Sequence, residues 1–145
     1  MSATIDRTPS APADTPVVRN AAAGACGILL AFAGLQVALA AGAPLGEHVW
    51  GGTQDRQLPG GMRVVAGGAA VALVGAASVV GRRGGLVGRP APWLSPATWG
   101  IAAYLALNTV GNVASTSDIE RYAFGPATAV ASALTAFVAY RTRHD

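Results

Sequence analysis

Apolar residues in this chain gather in four long charge-free runs. Asn20 to Ala41 spans 22 residues, Val64 to Val80 spans 17, and two further runs cover Ala97 to Ala114 and Tyr122 to Tyr140. About 20 apolar residues in a helix cross a hydrocarbon core, so the first run is long enough by itself. The second is short, but Arg63 and Arg82 at its flanks can lay their stems along it and lift their charges to the interface. Gly- and Pro-rich segments, 42–61 and 81–92, interrupt the runs. The pattern predicts an all-α membrane protein, a four-helix transmembrane bundle with spans at about 20–41, 62–80, 97–114 and 122–140. The membrane domain is then 19–141. Residues 1–18 are rich in Ser, Thr, Ala and Pro without an apolar period, so they read as a disordered cytoplasmic tail, and 142–145 as a short polar one.

Orientation follows from the arginines. Seven (Arg7, Arg19, Arg82, Arg83, Arg89, Arg141, Arg143) fall on the side of the termini and the middle loop; three (Arg56, Arg63, Arg121) fall on the other. That asymmetry puts both termini in the cytoplasm, and Trp50, Trp93, Trp99, Tyr122 and Tyr140 stand at predicted helix ends, as interfacial aromatics do. Ala38-Leu39-Ala40 and Ala41-Gly42-Ala43 have the look of signal-peptidase sites. The apolar run before them exceeds the roughly 7–15 residues of a signal core, and Asp6 and Asp14 precede it, so the first helix is expected to be retained.

Composition narrows the chemistry. Of 145 residues, 52% are hydrophobic and 12% charged, half the charge of an ordinary soluble domain. Ten arginines and no lysine exclude a lysine Schiff base and a P-loop lysine; a single cysteine, Cys26, excludes an internal disulfide, a CxxC pair and a thiolate zinc site. His48 and His144 are expected on opposite sides of the membrane, so no metal and no cofactor is anticipated. The pI near 9.8 reflects the cytoplasmic arginine bias and does not call for nucleic acid. The Ala-, Gly- and Arg-heavy usage suits a bacterial inner membrane protein from a high-GC genome.

Small residues recur four apart at Ala23 and Gly27, Gly68 and Ala72, Ala77 and Gly81, Ala102 and Ala106, Ala127 and Ala131. In lipid, close backbone approach drives helix association, so these faces read first as the bundle's own packing and second as a homo-oligomer contact. Polar residues inside the spans are more telling, because each needs a partner. Asn108 and Asn112 share one helix face, and Gln36 and Thr128 fall at matching depth in the outer half. They are expected to meet, either as a closed plug of interhelical hydrogen bonds, the preferred reading, or as a cleft lined for a ligand. No ionisable side chain lies well inside a predicted span, which argues against a proton-coupled antiporter.

The remaining candidates sit in two outer loops. Glu47 and His48 are a conceivable acid–base pair, with Glu120 as a further carboxylate, although neighbours in sequence point apart. Ser117 with Glu120 fits a capping box for the fourth helix. Arg63 and Arg121 are expected to pair with Glu47, Asp118 or Glu120, clamping the loops; with Gln36, Trp50, Asn108 and Asn112 they complete the ligand-binding candidates. The loop patterns G-x-P-x-G-x-x-x-W-G-G (Gly42 to Gly52), Leu58-Pro59 followed by Arg63, N-x-x-S-x-S-x-x-E-R (Asn112 to Arg121) and Gly125-Pro126 resemble a group of small uncharacterised four-span bacterial membrane proteins. The resemblance covers about residues 25–140 and implies the four-span architecture without an activity. Two functional classes follow. One is a non-catalytic accessory protein or binder of lipid or an apolar small molecule; the other is a small membrane-embedded enzyme for a hydrophobic metabolite. The first is favoured.

Overall fold

The structure, a computed structural model, describes residues 16–88 and 91–144. These residues form helices and turns with no strand: α1 (Pro16–Ala41), α2 (Gly60–Arg83), α3 (Ser95–Ala114) and α4 (Gly125–Arg141). Short 3-10 turns occupy Gly46–His48 and Trp50–Gly52 between α1 and α2, and another, Pro92–Leu94, leads into α3. A π-helical turn, Glu120–Phe124, runs directly into α4. The tail assigned to 1–15, Arg89 of the middle loop and Asp145 lie outside the described residues.

Three helical stretches, Pro16–Ala41, Gly60–Arg83 and Glu120–Arg141, are long and apolar enough to cross a membrane. The chain is therefore consistent with a multi-pass membrane protein. α3 is the more polar helix, with Ser95, Pro96, Asn108 and Asn112 among its 20 residues. α1 starts earlier than the charge-free run, at Pro16. A proline is tolerated in a first helical turn, where its missing donor has no partner anyway. The added turn is part of the core, since Val18 is only 1% exposed.

The helices alternate in direction. α1 lies along α2 and α4, and α3 lies along α4, while α2 and α3 scarcely approach each other. The ring of four is thus closed on three sides and open on one. Ala22, Ala25 and Leu29 of α1 pack against Ala77 and Val80 of α2 and against Ala131 and Val138 of α4. Ala and Gly let these backbones come close: a Cβ added to Gly84 would lie 2.1 Å from that of Ala22. Of the small-residue pairs, Ala77 and Gly81 are buried, whereas Ala23, Gly27, Gly68 and Ala72 are exposed.

Arg83, counted from sequence among the arginines on the side of the middle loop, is not an exposed loop residue. It is fully buried, and its guanidinium donates to the Ala91 carbonyl (3.3 Å), the Thr142 hydroxyl (2.8 Å) and the Thr142 carbonyl. Carbonyls just past a helix C-terminus carry partial negative charge and lack intrahelical donors, so a cation is drawn there. The contact fastens the ends of α2 and α4 to the entry of α3.

Candidate functional site: a cleft between α2 and α3

The far end of the bundle is built by the two connecting loops. Gly46 is fixed by space, since a Cβ there would lie 2.0 Å from the Asp55 carbonyl oxygen. Beyond it, Trp50, Gly51 and Gly52 have φ of 55°, 86° and 70°, a left-handed run. Glycine adopts this freely; for Trp50 it costs about 1–3 kcal/mol. The run is held by the other loop. Glu120 Oε2 accepts the Gly51 N–H (2.8 Å), and the Thr116 hydroxyl donates to the Gly51 carbonyl (2.6 Å). The Ser117 hydroxyl donates to the His48 carbonyl (3.0 Å).

Glu120, read from the sequence as a loop residue, belongs to the fourth helical stretch. Its N–H reaches Ser117 Oγ at 3.4 Å, which is half of a capping box. The reciprocal half is missing: the Ser117 N–H goes to Ser115 Oγ (3.0 Å), and Glu120 Oε2 instead accepts the Ser115 hydroxyl (2.5 Å). The π turn that begins at Glu120 precedes Pro126, whose ring and absent N–H disfavour a regular α-helical turn before it. Glu120 ends only 6% exposed, and it forms no ion pair among the described residues.

Below this clamp, the open side of the ring forms a cavity of about 480 Å³. Its body is apolar: Leu29 and Phe32 from α1, Leu73 and Ala76 from α2, Gly100 and Ile101 from α3. Its polar end is formed by Gln36, Asn108, Asn112, Glu120 and Thr128, with Trp50, Tyr104 and Phe124 beside them. A second pocket of about 440 Å³ shares Trp50, Tyr104, Asn108, Asn112 and Glu120 with the first. A concave, mostly apolar site with a few converging polar groups is the usual form of a small-molecule site, commonly about 300–1,000 Å³.

The polar side chains do not close into a plug. Asn112 Nδ2 donates to Thr128 Oγ1 (3.4 Å), and Asn108 Nδ2 turns back to the Tyr104 carbonyl one turn earlier (3.0 Å). Gln36 Oε1 is buried without a hydrogen-bond partner. The separation of α2 from α3 leaves the amides facing a cavity instead of one another.

Of the residues singled out from sequence, Gln36, Trp50, Asn108, Asn112 and Glu120 line this cavity, and Glu47, His48, Arg63 and Arg121 do not. Glu47 and His48 are a half-exposed pair 3.5 Å apart, with Arg56 3.7 Å from Glu47. The ion pairs expected of Arg63 and Arg121 do not form. Arg63 Nε donates to the Ala40 carbonyl (2.9 Å) in the last turn of α1, and Arg121 donates to the Ser115 carbonyl (2.7 Å) just past α3. Both cap helix C-termini, whose free carbonyls lie nearer than any carboxylate.

Sequence reasoning missed the aromatic wall: Phe32, Tyr104 and Phe124. A signal for them exists. Phe32 lies four residues before Gln36, Tyr104 four before Asn108, and Phe124 midway between Glu120 and Thr128. Residues four apart share a helix face, so each polar residue marks its aromatic neighbour. Comparison with protein-family models, curated proteins and solved structures returned no match.

Proposed function

We propose that this chain is a four-span protein of a bacterial inner membrane, with both termini in the cytoplasm, that binds an elongated amphipathic molecule in the cleft between α2 and α3. The observation that carries this reading is the cavity of about 480 Å³, apolar along its length and polar at the end where the two loops meet. The spanning role of α3 is supported by its 20 residues, about 30 Å of helix, and by Asn108 and Asn112 lying on its cavity side. The resemblance of the loop motifs to small four-span bacterial membrane proteins supports the same architecture, and the arginine asymmetry supports the orientation.

A ligand enters sideways from the lipid through the gap between α2 and α3 and lays its apolar body against Leu29, Phe32, Leu73 and Ile101. Moving from lipid to an apolar wall brings no hydrophobic gain, so packing and the polar end set the affinity. The enzyme alternative named Glu47, His48, Glu120 and the Asn pair; Glu120 and the asparagines line the cavity, but the His48 imidazole does not converge on them, which favours binding. Native mass spectrometry of the protein released from mild detergent tests the reading. An apolar adduct retained at about one per chain is expected. Spectra with only the bare chain, after purification from cells and after loading with 1-decanol, would contradict it.

A further inference from the structure

We propose that the cleft selects for a protonated amine head, so that its ligand is a lipophilic ammonium: an apolar body carrying one N–H-bearing cationic nitrogen. This deepens the ligand-binding reading and rests on it. The argument lies in which polar atoms at the cavity end are already committed to the protein. Asn108 Nδ2 donates to the Tyr104 carbonyl (3.0 Å), which can only accept, so the amide orientation is set and Oδ1 is the free end. Asn112 Nδ2 meets Thr128 Oγ1 (3.4 Å), a hydroxyl that also contacts the Phe124 carbonyl (2.8 Å) and Thr109 Oγ1 (3.0 Å), and Asn112 Oδ1 has no hydrogen bond among the described residues. Gln36 Oε1 is buried without a partner. Glu120 commits Oε2 to the Gly51 N–H and the Ser115 hydroxyl, leaving Oε1 without a hydrogen bond among the described residues.

The unfilled groups at this end are of both kinds, oxygens on Gln36, Asn108, Asn112 and Glu120 beside donors on Trp50, Tyr104 and the side-chain amides, so charge decides what head they take. The one formal charge is negative. Burying a carboxylate is costly unless it is paired, and the two neutral donors on Oε2 compensate it only in part. A cationic head supplies the missing charge and offers up to three N–H donors to the free oxygens. The aromatic residues point the same way. Phe32 and Phe124 meet edge to face at 5.3 Å beside Trp50 and Tyr104, and ring faces attract cations. A carboxylate or phosphate head would face Glu120 with like charge, and an alcohol brings one donor and no charge.

The test compares heads on one chain length. The full chain is reconstituted in phosphatidylcholine nanodiscs and titrated calorimetrically with decylamine, decyltrimethylammonium, 1-decanol and decanoate, with empty nanodiscs subtracted. Decylamine is cationic at neutral pH, as a lysine amine is. The chain's net charge of +3 works against cation binding elsewhere on the molecule. Decylamine is expected to bind about tenfold or more tightly than decanol, the size of one charge-assisted hydrogen bond, with the trimethylated probe between them and decanoate weakest. Glu120→Gln, which keeps an oxygen for Gly51 and Ser115, is expected to abolish the preference, bringing the ratio of decylamine to decanol affinity to about one. Equal binding of decanol and decylamine, a preference for decanoate, or a preference that survives Glu120→Gln overturns the proposal. Decyltrimethylammonium matching decylamine overturns the role of the N–H acceptors. If Glu120→Gln does not fold, the ranking of the four probes on the native protein decides alone. Failure of all four probes to bind sinks the cleft reading instead, so the two failures are told apart.

Discussion

Glu120 divides its carboxylate between two tasks, with Oε2 closing the loops and Oε1 left to the cleft, and neither task is written in its sequence neighbourhood. Its loop partner Gly51 lies 69 residues away. The spacing of Ser117 and Glu120 does encode a helix start, and the structure keeps that half while redirecting the side chain. Gln36, Asn108, Asn112 and Thr128 were legible as a group for a simple reason: an amide in hydrocarbon must face inward. Arg83 was not legible, because nothing near it in sequence announces that Thr142 will be its partner. Its buried guanidinium yields the prediction at this scale. Arg83→Ala leaves the Thr142 and Ala91 carbonyls without their donor and opens a void, at a cost of about 3 kcal/mol. Thermal unfolding in detergent is expected to show a clear fall in Tm. An unchanged Tm would mean that this end of the bundle is held otherwise.

At the scale of elements, charge-free runs located all four helices to within a few residues at most ends, since water-free burial of backbone polar groups requires helix. Two boundaries escaped. α1 gained a turn at Pro16 because Val18 packs into the core, a tertiary contact that overrides the local polarity of Arg19 and Asn20. The fourth stretch gained Glu120 through a π turn, a feature that spacing rules built on 3.6 residues do not express. Contact between α1 and α2 depends on small residues at their closest point. Gly84→Ala would drive a methyl to 2.1 Å from Ala22 Cβ, so the helices must part, costing about 1–3 kcal/mol. The expected outcome is lower yield of folded protein and a reduced Tm, and a substitution at outward-facing Val64, at the other end of α2, restores neither. Restoration by such a distant change would contradict a local clash.

The whole molecule is a ring of four helices open between α2 and α3, and that opening could not be read from the sequence. Helix existence comes from composition; which pair stays apart depends on how Arg83 and the loop clamp set the two ends. The same arrangement makes orientation testable. Reporter fusions after Gln54 and at the C-terminus should report opposite sides of the membrane, with the C-terminus cytoplasmic, and a shared side would contradict the four-span topology. The central claim, a ligand held in the open side, is tested most directly by filling that side. Gly100 lines the cavity, and a Cβ added there meets nothing within 4 Å, so Gly100→Leu has room to start a side chain into that space. The variant also gains helix propensity of about 0.8 kcal/mol over glycine. Native mass spectrometry of the native and Gly100→Leu proteins, loaded alike with 1-decanol, should show the adduct on the first and its loss from the second, with Tm unchanged or raised. An adduct of equal occupancy on both would place the ligand elsewhere and contradict the account.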